Sequence, residues 1–440
     1  MSTPPLPRAA ALAILLWSLA SVRPAAAVPD AADATRLFAE AQEICERDGG
    51  KLWGLSLCGP ILLVDYTDLG VLANGADAGG KLTRDGALFR GVLPEEVIIA
   101  NTPTEWSGTR WTQLVTPVPT DPAKRHVLLA HELFHRIQPE LKLTRPEVGN
   151  RHLDTLEGRY LLQLEWRALA RALEAVTPAD RRAAVVDALA FRGERYRLFP
   201  NAAQEEGTLE TVEGLAEYTG VALGLTTDRE RTAYAVGDLS AFVPAPTFVR
   251  SFAYATGPAY GLLLDGADAG WRGKLGSGRR FDELLSDALK LEAPAGDALE
   301  QRTAYYDQDG KLRAGEVQRD EERRARLAAY KAHLVDGPVL TLPLAHSNYQ
   351  FNPQTLVPLE GFGTVYPTMR LTDDWGALEV ERDGGLVHDK PSIATVSAAG
   401  ADTAGTAGDG WRLKLNPGWT VKPGQRSGDL NVTRTGDTAH

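Results

Sequence analysis

Two histidines and a glutamate set the chemistry to consider first. The segment His131-Glu132-Leu133-Phe134-His135 sits inside the apolar stretch 126–138. If that stretch is a helix, side chains four apart stand one turn above each other on one face. Both imidazoles can then reach a single zinc ion at about 2.0–2.1 Å. Glu132 projects to the flank of the pair, where it can take a proton from an activated water without ligating the metal. The plainer alternative is a buried helix whose histidines have ordinary hydrogen-bond partners.

A catalytic zinc takes three protein ligands and keeps one position open, so the third must come from elsewhere. Glu157, in Asp154-Thr155-Leu156-Glu157, is the nearer candidate. Asp154 followed three positions later by Glu157 also has the form of a helix-opening capping box, a structural use of the carboxylate. Glu213 is the farther candidate, in Glu210-Thr211-Val212-Glu213-Gly214-Leu215-Ala216-Glu217-Tyr218. Glu213 and Glu217 stand four apart on an expected helix, which costs about 0.2–0.5 kcal/mol unless a cation lies between them. A zinc ion with its imidazoles supplies that cation. Glu213 would then ligate, and Glu217 would accept a hydrogen bond from a ligand histidine. An acidic solvent face including Glu210 is the alternative. We take Glu213 as the third ligand, with Glu157 as its competitor and His152 as structural.

His131-Glu132-Leu133-Phe134-His135 together with Glu213-Gly214-Leu215-Ala216-Glu217-Tyr218 resembles the gluzincin superfamily of zinc metallopeptidases, at motif level and over residues 95–265. Aminopeptidase N-like members carry their ligand glutamate in a similar Glu-Gly-x-Ala-x-Tyr segment, and neprilysin-like members use Glu-x-x-x-Asp. The resemblance implies peptide-bond hydrolysis, with zinc held by His131, His135 and Glu213 and with Glu132 as general base. Tyr254-Ala255-Thr256-Gly257 is similar to the Tyr-x-x-Gly of aminopeptidase-type members, which implies a catalytic phenol at Tyr254 that stabilises the oxyanion. An aromatic packing a helix start is the other use of Tyr254. The chain also departs from the family. The gap from His135 to Glu213 is far longer than in the aminopeptidases, and Glu217 replaces the neprilysin-type aspartate. The amine-binding Gly-x-Met-x-Asn is missing, so aminopeptidase activity is not implied. Gln138 and Leu141 stand where metzincins carry glycine and histidine, which excludes that branch.

These residues need a scaffold. Leu37, Phe38, Ala41, Ile44 and Cys45 at helical spacing predict a helix over 31–48, stopped by Asp48-Gly49-Gly50. Short runs rich in Val, Ile, Leu and Trp from 51 to 119, such as 59–65 and 97–101, predict a mixed sheet. The run 97–102 is extended and free to pair with a peptide substrate as an added strand. From 122 to 334 the period is helical, with further helices expected over 153–173, 178–196, 207–222, 252–265 and 281–290 and a solvated charged helix over 316–334. Past Asp336-Gly337-Pro338 short apolar runs return, at 363–366, 377–380 and 411–415. The expected fold class is α+β: a zincin-like catalytic domain over 28–335, in which a mixed sheet and the active-site helix precede a mainly helical half, then a β-rich accessory domain over 336–440.

Residues 1–27 have the form of a secretory signal peptide: Arg8, an apolar run from Ala9 to Ala20, and Ala25-Ala26-Ala27 before the expected cleavage. That run is too short to span a bilayer as an ordinary helix, so the mature chain is expected to be secreted or periplasmic and free of the membrane. Cys45 and Cys58, the two cysteines of the 440 residues, should pair in an oxidising compartment. The 58 acidic and 47 basic residues give a net charge of -11 spread along the chain, with no basic footprint for nucleic acid. The expected partner is a peptide or protein substrate. Two rival readings are a secreted binding protein stapled by zinc and a non-peptidase zinc hydrolase.

Overall fold

The computed structural model describes residues 30–65, 68–94, 97, 99–145, 149–291, 299–351 and 355–436. The expected signal segment 1–27 lies outside them. The fold is α+β, and the chain separates into two compact units, one ending at Ile137 and the other starting at Gln138.

The first unit opens on α1 (Ala31–Asp48), whose amide at Ala32 is capped by the Asp30 carboxylate at 3.1 Å. Gly49 ends it at φ 56°, a left-handed turn that glycine adopts without a Cβ penalty. The expected apolar face is buried, and Cys45 is joined to Cys58. A mixed six-stranded sheet follows, formed by β1 (Ile61–Asp65), β2 (Gly70–Ala73), β3 (Thr83–Asp85), β4 (Leu88–Val92), β5 (Thr102–Trp106) and β6 (Thr109–Thr116) in the order β3-β4-β2-β1-β6-β5. The β1–β6 pair is parallel and the other pairs are antiparallel.

The run 97–101 is not the expected strand, because β5 begins at Thr102. Val97 and Ile99 instead pack as loop side chains against the sheet core of Leu62, Val64, Val71 and Trp111. Ladder positions near this loop go to side chains: Gln113 donates to the Ala100 carbonyl and Asn101 accepts from Val115 N, both at 2.8 Å.

Helix α2 (Pro122–Ile137) carries the histidines and packs on β5 and β6. Asp121 caps the Lys124 amide at 2.9 Å, with proline following it at the first helical position. Buried Arg125 holds both carboxylate oxygens of Glu40 at 2.7 and 3.0 Å, tying α2 to α1. Burial opposes ionisation of Glu40, but Arg125 more than offsets it and holds that carboxyl below its usual range.

The second unit begins with helices α3 (Leu156–Glu174), α4 (Pro178–Leu198), α5 (Ala202–Leu209), α6 (Leu215–Gly224), α7 (Asp228–Ala241), α8 (Phe252–Ala267), α9 (Phe281–Ala288), α10 (Leu299–Tyr306) and α11 (Lys311–Lys331). The single helix expected over 207–222 is two helices joined by a π-helical turn, Glu210–Gly214. The charged helix α11 is not wholly solvated. Glu316 is buried against α3, where it accepts from Arg159 at 3.1 Å and from Gln163 at 2.6 Å.

Among the described residues twelve strands complete this unit: β7 (Val339–Pro343), β8 (Asn348–Phe351), β9 (Val357–Leu359), β10 (Gly363–Tyr366), β11 (Met369–Asp373), β12 (Gly376–Val380), β13 (Gly385–His388), β14 (Ile393–Ser397), β15 (Ala407–Gly408), β16 (Trp411–Leu415), β17 (Trp419–Pro423) and β18 (Leu430–Arg434). They form sheets ordered β17-β18-β7-β14-β13-β10-β9 and β15-β16-β12-β11-β8. One core joins Leu340, Leu342 and Val396 of the first sheet to Leu371, Leu378 and Trp411 of the second, as in a β-sandwich.

Candidate metal centre

On α2, His131 and Glu132 are buried and His135 is half-buried. The four-residue spacing brings the two Nε2 atoms to 3.0 Å from each other, with the rings crossed at 72°. Tetrahedral ligands at about 2.0–2.1 Å from zinc stand about 3.3 Å apart, so this pair fits the ion. A neutral imidazole pair at that distance leaves room for one proton between the nitrogens, whereas a shared cation satisfies both. The helix holding them is fixed from its other side. Phe134 packs on Trp53 at 4.8 Å between centroids, and Arg136 donates to the Leu57 and Cys58 carbonyls at 3.0 and 2.9 Å. The disulfide at Cys58 therefore anchors the segment on which Arg136 rests.

In the second unit, Glu213 sits in the π-turn, where the Leu215 amide donates five residues back to Glu210. Such a turn misaligns carbonyls that an α-helix would satisfy, and it recurs at functional positions. Gln138 meets two of them, donating through Nε2 to the Thr211 and Val212 carbonyls, each at 3.0 Å. Arg192 of α4 grips Glu210 with two nitrogens at 2.6 and 3.0 Å and reaches Glu165 at 2.7 Å. Arg195 holds Glu206 at 2.6 and 2.7 Å, and all five of these charged side chains are buried. Burial would raise the Glu206 carboxyl, yet Arg195 holds it down to about 2. Burial raises Glu210, and Arg192 only partly offsets the effect. Helix α8 crosses the turn closely: a Cβ on Gly257 would stand 2.2 Å from the Gly214 carbonyl oxygen.

That crossing brings Tyr254 to Glu213. The phenol donates to Oε2 at 2.7 Å, and Arg250 lies 3.3 Å from Oε1. Burial first, then the Glu213 charge, push the Tyr254 phenol well above its ordinary range, so it keeps its proton. Glu217 lies one turn further along, half-buried on α6.

The competitor Glu157 is engaged elsewhere. It accepts two bonds from Arg313, at 2.5 and 2.7 Å, on a partly exposed surface. The expected capping box also gives way. Thr155, one residue after Asp154, is the N-cap and accepts from Gly158 N at 3.1 Å. Asp154 holds Thr247 Oγ1 at 2.8 Å and Phe248 N at 3.1 Å instead. The sequence pattern fits a box, but the tertiary partners of both carboxylates draw them away. His152 is structural as expected, 2.7 Å from Glu206.

Gln138, Arg192 and Arg250 were not among the expected site residues. Arg192 and Arg195, three apart on one helix, and Glu206 and Glu210, four apart, each put two like charges on one helix face, and this charge pattern was the available signal. No protein-family model, curated protein or solved structure matches this chain. Among the described residues, no helix is long and apolar enough to cross a membrane.

Proposed function

We propose that this protein is a secreted or periplasmic zinc peptidase in which His131, His135 and Glu213 hold the metal and Glu132 is the general base. The observation that carries the reading is the pair of Nε2 atoms at 3.0 Å on α2, with a buried glutamate next in sequence to the first histidine. Glu213, carried by the π-turn of the second unit, supplies the third ligand that the two histidines need in this reading. Zinc in such a set polarises a scissile carbonyl and acidifies water. Glu132 takes the proton of the attacking water and passes it to the leaving amine. Tyr254 steadies Glu213, and the β5 edge offers backbone groups with which an extended peptide can pair.

The test is metal analysis of the purified chain coupled to turnover of casein and of fluorogenic peptides. One zinc per chain and chelator-sensitive cleavage support the reading. Bound zinc without cleavage of any peptide would point to a structural staple.

A further inference from the structure

The β-sandwich of the second unit carries an open surface pocket of about 630 Å³ that the proposed chemistry does not use. Three connections form it: the β7–β8 loop with His346, the β11–β12 turn with Asp373 and Asp374, and the β16–β17 loop starting at Asn416. Trp419 and Arg434 complete its lining. Its volume lies within the roughly 300–1,000 Å³ of small-molecule sites.

Hydrogen bonds internal to the wall hold it in place. Asp373 spends its carboxylate on the amides of Ala345 at 2.9 Å, His346 at 3.2 Å and Asp374 at 2.7 Å. The Asn416 amide donates to the Trp375 carbonyl at 2.9 Å, and its Nδ2 donates to the Asp374 carbonyl at 3.2 Å. Thr435 N donates to the Gly418 carbonyl at 2.8 Å. The neighbouring Trp375 is buried and bonded to the Pro343 carbonyl, so the turn rests on the core.

What remains for a ligand is a mixed set. Asp374 is an exposed carboxylate whose side-chain partner is the still more exposed His346, at 3.2 Å. Arg434 makes no hydrogen bond or ion pair with a described residue; its guanidinium lies 5.2 Å from the Trp419 ring. The Trp419 indole N–H and the Asn416 Oδ1 likewise have no described partner. The charges decide the ligand class. Arg434 opposes a cation, and the two aspartates oppose a phosphate or sulfate. An apolar ligand would find one indole and one proline among polar groups. Donors and acceptors side by side suit hydroxyl groups, each of which both donates and accepts, and an indole suits the C–H face of a sugar ring.

We propose that this pocket binds a neutral saccharide, with Asp374, Asn416 and Arg434 taking its hydroxyls and Trp419 forming the apolar wall. The proposal does not depend on the zinc reading.

Isothermal titration calorimetry of the full chain, with EDTA present, against cellohexaose, maltohexaose, xylohexaose and hexa-N-acetylchitohexaose tests it. Saturable binding of at least one is expected. Asp374→Ala and Arg434→Met should each weaken it roughly tenfold or more, the usual loss of a hydrogen bond to a charged group. Trp419→Phe, which keeps an aromatic wall, should weaken it with thermal melting unchanged. Arg412→Ala, exposed on β16 outside the pocket, should leave it intact. Binding of none of the four, binding of sulfated heparin fragments alone, or binding indifferent to Asp374→Ala and Arg434→Met would overturn it.

Discussion

Tyr254 donates its phenolic proton to Oε2 of Glu213 across 2.7 Å, from the first turn of α8 to the π-turn. A ligand carboxylate held by a neutral donor keeps its orientation without losing its charge. Tyr254→Phe should therefore reduce zinc affinity roughly 10 to 100-fold, read by competition with a fluorescent chelator. If kcat falls while zinc affinity is unchanged, the phenol acts on the oxyanion instead.

Glu132→Gln should retain about one zinc per chain by elemental analysis and lose peptide hydrolysis, since in the proposed site the residue would move protons and not hold metal. His131→Ala should lose the metal itself, because two remaining ligands bind far more weakly. Metal loss in Glu132→Gln would remove it from the role of base.

Glu213 and Glu157 should separate by kind. Glu213→Ala should strip most of the zinc. Glu157→Ala breaks a partly exposed pair with Arg313 and should cost at most about 1 kcal/mol of stability with metal content unchanged. The reverse pattern would make Glu157 the ligand.

Acid stability should depend on Glu206. Its carboxyl is depressed from 4.5 to about 2 in the fold, so its contribution is fully present above pH 4.5 and is lost as the pH falls through about 2. Glu206→Gln leaves Arg195 short of a buried partner and should cost about 3–5 kcal/mol at pH 7. Denaturant titrations should find that gap narrowing by up to about 3 kcal/mol between pH 4.5 and 2. Glu210, whose carboxyl is raised, contributes with the opposite sign. The comparison must therefore be wild type against the single variant. A gap that does not change with pH would refute the depressed carboxyl.

The Cys45–Cys58 disulfide should leave no alkylatable thiol in the native, unreduced protein by mass spectrometry. Replacing both cysteines by serine should cost about 3 kcal/mol in the chain-entropy account.

Helix α1 and the histidine helix α2 were legible because spacing, caps and burial agree. The run 97–101 was misread because apolar, β-branched residues serve equally well as a strand and as a loop packed onto a sheet. Helix α7 escaped notice because it buries little beyond Ala235 and Leu239, leaving a faint period. The two histidines and the disulfide could be read locally. The π-turn could not, since nothing in Glu210-Thr211-Val212-Glu213-Gly214 distinguishes it from an α-helix. Its partners Gln138 and Arg192 lie 73 and 18 residues away.

The π-turn gives one carboxylate a direction of its own without turning the helix that follows it. Shortening the chain by one residue within Glu210–Gly214 would let α5 and α6 run as one ordinary helix, with every carbonyl met internally and Gln138 left without its two acceptors. The widened turn accommodates one extra residue, so α6 beyond it would keep its face, while the Glu213 carboxylate would lose the widened turn from which it meets Tyr254. The deletion variant would therefore be a better helix carrying a worse carboxylate, and it would show whether this segment is shaped for stability or for aim.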